Sequence, residues 1–441
     1  MRIESLRLQN FRGFGDLEIE FPQDNNIAVF IGINGAGKSS VLDAIGLLLA
    51  QFVINLLGDT ARKTERLRRA GFLLTDNDIN VKADKLRILL EWSLIHKIWE
   101  WEVSKEHNKG AKEKKSFSIY SQEVISALNQ DDNFNLPILV YYHTHRLSPT
   151  MWATTSKAKS YRFSQLSAFQ NSFERSLAGF DDFLNWFRAE EDLENQIIVR
   201  EDKSYQDPKL EVIRHAIKHF FNRLNASNLF DDLRIVRASK GDDFIFKPSV
   251  VSTLEIKKGH ERLSIEQLSD GERSLLLIVA DIARRLAIAN PSLQNHDQIL
   301  REGKGIVLID EVDAHLHPQW QRNVIPALRE TFKSCQFIVT THSPQVLSNI
   351  ERESIFILED GKIVENNPHS YGRDTNSILY EFMGVEERPQ WMREKLDHCF
   401  HLIDQGELDD AKAAIEDLKK TIGENDTEIV RANTMLAFLY D

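Results

Sequence analysis

The stretch "IAVFIGINGAGKSSVLDAI", residues Ile27–Ile45, decides the fold class. Its first five residues are apolar and predict a buried strand, a glycine-rich turn follows, and the remainder predicts an apolar helix. The turn satisfies the pattern G-x-x-x-x-G-K-[ST] over Gly32–Ser39. A strand before this pattern and a helix after it are the context that a phosphate-binding loop requires. We therefore predict an α/β nucleotide-binding core.

The chemistry of this loop depends on bare amides and one cation. Successive backbone amides at the positive end of a helix can hold the phosphates of ATP, Lys38 adds a point charge, and the Ser39 hydroxyl can bind Mg²⁺. We predict ATP and Mg²⁺ as cofactors. The loop residues predicted to bind the nucleotide are Asn34, Gly35, Ala36, Gly37, Lys38, Ser39 and Ser40.

Polar side chains follow two further apolar strands. The run "IVLIDE" ends in Asp310, which we expect to hold magnesium, and Glu311, which we expect to orient or deprotonate an attacking water. The next strand ends in "TTHSP", where His342 is a candidate polar sensor of the γ-phosphate. Glu311 and His342 are therefore the predicted catalytic residues.

The stretch "LSDGERS", Leu268–Ser274, predicts the start of a helix. Ser269 and Glu272 form a Ser-x-x-Glu capping box, in which each side chain satisfies a backbone amide of the other. Gly271 is not explained by capping, because a glycine inside a helix costs about 1 kcal/mol relative to alanine. A requirement for a bare amide at this helix start is the alternative explanation.

Together with "NFRGF", "VLIDEVDAHLHPQWQ" and "TTHSPQ", these motifs resemble the ABC-type ATPase heads of the RecF, SMC and OLD group. The resemblance implies an ABC-type P-loop head with a mixed sheet and flanking helices, carrying a mixed α/β insert and a short C-terminal helical region. It also implies a homodimer or higher oligomer. In that arrangement Ser269, Gly271 and Glu272 bind ATP held on the phosphate loop of a second subunit.

The same resemblance assigns two more residues and reveals two departures. Asp313 would belong to the loop joining two active sites, and Arg12 would reach the phosphates or the facing signature helix.

The family glutamine expected after "PILVYYHTHR" is missing, which leaves His143, His145 or Arg146 for its role. Asp270 and Glu272 place negative charge near a triphosphate, so we hypothesise that hydrolysis is slow and that ATP serves more as a dimer clamp.

Features outside these motifs narrow the choice within the group. The chain lacks a long coiled coil and the acidic pattern of a Toprim nuclease, so we expect no nuclease activity in it. Its helical tail resembles that of the PtuA-type ATPases of Septu and retron anti-phage systems. That resemblance implies control of a partner HNH endonuclease, with any contact to nucleic acid made through the complex. The alternative is a RecF-like, ATP-gated DNA clamp in repair, gripping duplex DNA through Arg62–Arg69.

The composition of the chain limits its possible partners and cellular compartment. The chain has 441 residues, 42% of them apolar, and a net charge of −12, so nucleic-acid contact would have to come from local basic stretches such as Arg62–Arg69 and Lys105–Lys115. The two cysteines and the absence of a signal-like or membrane-spanning segment favour a cytoplasmic protein that contacts no membrane. The predicted domains are an N-terminal lobe (1–51), an insert (52–250), a second lobe (251–385) and a C-terminal helical region for docking or oligomerisation (386–441).

Overall fold

The computed structural model describes residues 1–58, 67, 71–94, 97–114, 116–131, 133–144, 165–173, 178–224, 230–239, 250–364, 369–384 and 386–440. The chain divides into two compact units, Met1–Thr375 and Asn376–Asp441. All the predicted site residues belong to the first unit, with the qualification that His145, Arg146 and all of Arg62–Arg69 except Leu67 lie outside the described residues.

The secondary structure alternates between strands and helices in the first unit and is helical in the second. The strands are β1 Arg2–Gln9, β2 Asp16–Glu20, β3 Ile27–Ile31, β4 Lys85–Leu94, β5 Lys97–Glu106, β6 Lys112–Glu113, β7 Ile138–Tyr142, β8 Phe230–Ser239, β9 Val250–Lys258, β10 Glu261–Ser264, β11 Gly305–Ile309, β12 Cys335–Thr340, β13 Ile355–Glu359 and β14 Lys362–Ile363. The helices are α1 Lys38–Leu56, α2 Ser116–Gln130, α3 Ala178–Arg200, α4 Pro208–Arg223, α5 Asp270–Ala289, α6 His296–Glu302, α7 Pro318–Thr331, α8 Pro344–Leu347, α9 Thr375–Met383, α10 Gln390–Gln405, α11 Leu408–Ile422 and α12 Thr427–Tyr440.

A six-stranded sheet forms the centre of the first unit, in the order β14-β13-β3-β12-β11-β7. The strands from β13 to β7 run parallel, and β14 pairs antiparallel to β13. Strands β3, β7, β11 and β12 are buried along their whole length, which explains their uninterrupted apolar sequences. Their carboxyl ends meet at one edge of the sheet. The mixed sheet with flanking helices predicted from the sequence is confirmed.

A second sheet is antiparallel, in the order β2-β1-β4-β5-β6. Its aromatic strands bury Trp92 and Trp101, and the Trp101 ring stacks on Phe52 of α1 at a centroid distance of 5.5 Å. The span 52–250 thus supplies three strands to this sheet and β7 to the central sheet. A third, three-stranded sheet, β10-β9-β8, precedes α5.

Helix α1 is one described helix that is long and apolar enough to cross a membrane by length and composition. However, 83% of its apolar window is buried inside the first unit. Such burial is typical of a core helix, because the apolar faces are already covered by the surrounding sheets.

Three helices of the second unit, α10, α11 and α12, pack on one another. Their shared core includes Leu396, Cys399, Ile415 and Ile429. Helix α10 ends at Gly406, whose φ of 77° is the left-handed conformation that favours glycine at this position. Helix α11 likewise ends at Gly423, so the predicted C-terminal helical region consists of short helices separated at glycines.

Candidate nucleotide-binding site

The phosphate loop joins β3 to α1 at the carboxyl edge of the central sheet. Gly37 precedes α1 with a φ of 99°, and a Cβ atom built on it would lie 2.4 Å from Cζ of Phe14. No side chain fits there. The "NFRGF" turn between β1 and β2 thus packs directly on the loop, which gives that motif a structural role in shaping it.

The side chain of Lys38 is buried beneath the loop. Its Nζ donates hydrogen bonds to the carbonyl oxygens of Gly32 at 2.9 Å and Ile33 at 3.1 Å. Burial lowers the pKa of Lys38, and the negative charges of Asp310, Glu311 and Asp313 partly oppose this effect. The structure therefore places one cation, surrounded by carboxylates, within the loop predicted to hold phosphates.

Asp310 is the centre of a hydrogen-bonded cluster at the same edge. Its Oδ1 accepts from the hydroxyls of Ser39 at 3.1 Å and Thr340 at 2.6 Å, and its Oδ2 accepts from that of Thr144 at 2.8 Å. The two residues predicted to bind magnesium, Ser39 and Asp310, are thus in contact. Mg²⁺ prefers oxygen ligands such as hydroxyl and carboxylate groups, so Ser39 and Asp310 fit the predicted metal.

Thr144 was not predicted as a site residue. It follows β7, and the parallel pairing of Tyr142 with Ile309 brings the residues after β7 beside those after β11. Of the three residues considered for the role of the missing glutamine, His143 has its ring 3.7 Å from that of Tyr141 and near Phe72, and the other two lie outside the described residues. The hydroxyl that donates to Asp310 belongs to Thr144, the next residue along the chain.

Glu311 and Asp313 lie in the turn after β11. The backbone of Glu311 has a φ of 48°, which is rare for residues other than glycine. The Glu311 amide donates to the Thr340 hydroxyl at 2.7 Å. The hydroxyl of Thr341 donates to Asp313 at 2.5 Å. Two threonines of the "TTH" motif therefore fix the backbone and side chains of the acidic turn. His342 follows them and is half-buried.

Arg12 is held on the first turns of α1 rather than extending outward. It donates to Asp43 at 2.7 Å, to Asp78 at 3.1 Å and to the Ser40 hydroxyl at 3.3 Å. Burial lowers the pKa of its guanidinium, but the two carboxylates outweigh burial and the net direction is upward. Arg12 thus lies beside the phosphate loop through Ser40, and its predicted contact with phosphate remains a prediction.

The predicted capping box at the start of α5 is present. The Ser269 hydroxyl accepts from the Glu272 amide at 3.4 Å, and the Glu272 carboxylate accepts from the Ser269 amide at 3.1 Å. Each acid of this motif also has its own cation, since Lys258 donates to Glu272 at 2.6 Å and Arg273 to Asp270 at 2.5 Å. Burial opposes these contacts, yet the pKa of Glu272 is lowered.

Gly271 has an intramolecular reason to be glycine. A Cβ atom at this position would lie 2.4 Å from the backbone carbonyl oxygen of His315, in the loop that also contains Asp313. A close contact within the chain is therefore sufficient to exclude a larger residue. The expectation that the bare amide serves another copy's nucleotide is not needed to explain the glycine and remains a prediction.

A buried ionic cluster joins α5 to β7. The Tyr142 hydroxyl donates to Asp281 at 2.9 Å, and Asp281 also accepts from Arg284 and Arg285, each at 2.7 Å. All four side chains are buried. This cluster connects α5 to the strand that precedes Thr144. Its contact between Tyr142 and Asp281 joins residues 139 positions apart in the chain, which no local sequence pattern reports.

Within one chain, no side-chain hydrogen bond among the described residues joins the start of α5 to the phosphate loop. Among the described residues, the side-chain hydrogen bonds at the start of α5 go to Lys258, to Arg273 and within the capping box. None goes to the phosphate loop. The Lys38, Ser39 and Asp310 half is therefore assembled separately from the Ser269 half.

Comparison with known proteins identifies the family of this chain. The profile of the family described as "AAA domain, putative AbiEii toxin, Type IV TA system" matches residues 27–348, which include both halves of the site. The chain belongs to this family.

Several named proteins are similar to this chain over most of its length. It is 28% identical over 432 residues to "Retron Ec83 probable ATPase" of Escherichia coli, covering 88% of this chain and 77% of that protein. It is 29% identical over 430 residues to "Retron Vc95 probable ATPase" of Vibrio cholerae serotype O1 biovar El Tor, covering 88% and 80%. Septu protein PtuA of Bacillus thuringiensis is 23% identical over 390 residues, covering 87% and 82%. The predicted similarity to Septu and retron ATPases is confirmed.

Proposed function

We propose that this chain binds and hydrolyses ATP as an ABC-type ATPase, and that ATP closes a head-to-tail homodimer. The observation that carries the proposal is the contact of Ser39 with Asp310 beside the buried Lys38. A hydroxyl, a carboxylate and an ammonium at the N-terminus of a buried helix are the groups that hold a magnesium-bound triphosphate. The family and the named relatives support the same chemistry.

Each residue then has a distinct role. Lys38 exchanges its bonds to the loop carbonyls for bonds to phosphate oxygens, while Ser39 and Asp310 offer oxygen ligands to the metal. Bound Mg·ATP supplies the electrophilic phosphorus and the Lewis acid. Glu311 orients a water and accepts its proton, and His342 contacts the phosphate end of the site. Thr144 and Thr340 keep the Asp310 carboxylate in one orientation.

The lack of hydrogen bonds between the two halves within one chain supports the proposed dimer. Ser269 is exposed at the start of α5, and the carboxylates near it are paired with Lys258 and Arg273. A second copy can therefore present its phosphate loop to this helix start without a large repulsion between negative charges. The same pairing weakens the hypothesis of slow hydrolysis, which assumed that Asp270 and Glu272 act on the triphosphate as uncompensated charges.

We further propose that the chain is the cytoplasmic ATPase subunit of a bacterial anti-phage defence system. The support comes from relatives in retron and Septu systems that match it over most of their length. In this proposal the open or closed state of the dimer regulates a separately encoded HNH endonuclease, and any contact with nucleic acid is made through that complex.

A co-expression experiment tests the defence role. The chain is produced with the proteins encoded next to its gene, the complex is isolated, and phage plating is measured with and without each component. We expect a stable complex with an HNH protein and protection that is lost with Lys38→Ala in the ATPase. Full protection by the Lys38→Ala variant would contradict the proposal, because nucleotide binding would then be unnecessary.

The described part of the basic stretch Lys105–Lys115 does not support the alternative, a DNA clamp in repair. Lys105 is buried and paired with Asp76, and Lys109 is paired with Glu106, so these cations are compensated locally. Arg62–Arg69 lies outside the described residues except for Leu67. A clamp would bind duplex DNA alone, with an affinity that falls steeply as salt rises. We expect weak binding without a partner.

A further inference from the structure

A group of three potential metal ligands lies away from the nucleotide site, between α4 and α6. His215 is on α4, and His296 and Asp297 are the first two residues of α6. One donor atom from each residue lies within 4.8 Å of the other two. Among the described residues, this is the one group of three or more His, Cys, Asp or Glu side chains that meets this distance.

The two imidazoles face each other. Their ring centroids are 3.6 Å apart and their planes differ by 29°. In the part of the chain that the structure describes, the ring nitrogens of His215 make no hydrogen bond. His296 Nε2 lies 3.7 Å from a carboxylate oxygen of Asp297.

We propose that His215, His296 and Asp297 bind one transition-metal ion, with Zn²⁺ as the best match. Two imidazole nitrogens and one carboxylate suit zinc, whereas Mg²⁺ strongly favours oxygen ligands. A tetrahedral zinc ion with bonds of about 2.0–2.1 Å holds its donor atoms roughly 3.4 Å apart, so a pair of donor atoms near the 4.8 Å limit must close by about 1.4 Å. Because imidazole lone pairs lie in the ring planes and the two rings are stacked, the half-buried histidine side chains must rotate for each ring to direct one nitrogen at the ion.

The position of the site indicates what the metal would do. Helix α6 leads directly into β11, the strand that precedes Asp310, and α4 lies in the span 52–250. A shared ion would join these two parts of the first unit without contacting the nucleotide site. Since metal binding favours the state that contains the site, it would raise the melting temperature of the protein.

Zinc titration of untagged, chelator-treated full-length protein tests the proposal. Without nucleotide, we expect one tight Zn²⁺ site per chain by calorimetry, with a rise in Tm when Zn²⁺ is added. His215→Ala and His296→Ala should each weaken binding by at least about tenfold, since the loss of a supporting residue alone commonly costs 10–100-fold. His260→Ala is the matched control, because His260 is exposed and distant in sequence.

Two further measurements keep the outcome decisive. Circular dichroism of each variant without metal shows whether it still folds, and Asp297→Asn tests the carboxylate while preserving shape. Binding in both histidine variants equal to that of the unmodified chain would overturn the proposal. An equal loss of binding in His260→Ala would also overturn it, because the affinity would then not depend on this cluster.

Discussion

The two halves of the ATP site differ in how they are built. At the phosphate-loop edge, Lys38 bonds to carbonyls of its own loop, whereas Asp310 accepts from hydroxyls of residues at least 30 positions away in sequence. At the start of α5, Ser269 and Glu272 complete each other within a single helical turn. The first half is a three-dimensional cluster, and the second is a local motif exposed at a helix end.

This difference fits the proposed dimer, in which ATP contacts the phosphate loop of one chain and the start of α5 of another. A helix start that satisfies its own amides is stable without a partner, so it can face solvent until another molecule arrives. In the phosphate-loop half, Lys38 and Asp310 are buried and hydrogen-bonded to neighbouring groups. The comparison therefore predicts large effects on nucleotide binding in the first half and effects on assembly in the second.

The largest effect is expected for Lys38→Ala. Loss of the buried cation should weaken ATP binding at least about 100-fold, corresponding to about 2.7 kcal/mol, within the range for hydrogen bonds to charged groups. Calorimetry with ATP and Mg²⁺ measures this. Lys362→Ala is a matched control at an exposed strand position. An unchanged affinity in Lys38→Ala would remove this loop from nucleotide binding.

The second effect concerns turnover. Glu311→Gln keeps the size of the side chain but removes the proton acceptor, so ATP hydrolysis should slow by about 10²–10⁴-fold while ATP binding persists. Single-turnover phosphate release provides the rate, and Glu359→Gln, on an exposed position of β13, is the control. A loss of less than threefold would exclude Glu311 as the general base.

The third effect separates assembly from binding. Ser269→Arg places a bulky cation at the proposed interface and should prevent ATP-dependent dimerisation, while each monomer still binds ATP. Ser269→Ala provides the comparison, because both variants lose the helix cap, at a cost of about 1 kcal/mol, but only one adds bulk. Sedimentation with ATP distinguishes them. Equal dimerisation by the Arg variant would place the interface elsewhere.

The fourth effect is smaller and tests the residue that the sequence did not reveal. Thr144→Val removes the hydrogen bond to Asp310 and should reduce stability by about 0.5–1.5 kcal/mol, with a roughly tenfold slower hydrolysis as Asp310 loses one support. Thr144→Ser retains the hydroxyl and should restore most of the activity. If both variants hydrolyse ATP at the same rate, the Thr144 contact is unimportant for the site.

The smallest effect depends on pH. The folded pKa of Glu272 is lowered from the ordinary value of 4.5, so the unfolded chain binds this proton more tightly than the folded one. Its stabilising contribution, about 1 kcal/mol or less, is present above pH 4.5 and is lost as the pH falls below that value. The difference in Tm between the natural chain and Glu272→Gln should therefore shrink below pH 4.5. A difference that grows on acidification would contradict this pairing.

The sequence predicts contacts that are local or that follow from strand order. The phosphate loop, the acidic strand end, the capping box at Ser269 and the helix break at Gly406 are all encoded within a few residues. The pairing of Lys258 with Glu272, the approach of His315 to Gly271 and the reach of Thr144 to Asp310 depend on how separate elements pack. No periodicity or spacing reports such contacts, because the partners are set by sheet order and helix packing.

The central claim is that ATP joins the phosphate-loop half of one chain to the Ser269 half of another. The most direct test is the mass of the Glu311→Gln variant in solution, measured by analytical ultracentrifugation with and without ATP and Mg²⁺. The account predicts a monomer without nucleotide, a stable dimer with it, and no dimer when Ser269→Arg is added. A Glu311→Gln variant that binds ATP at full stoichiometry but stays monomeric would contradict the account.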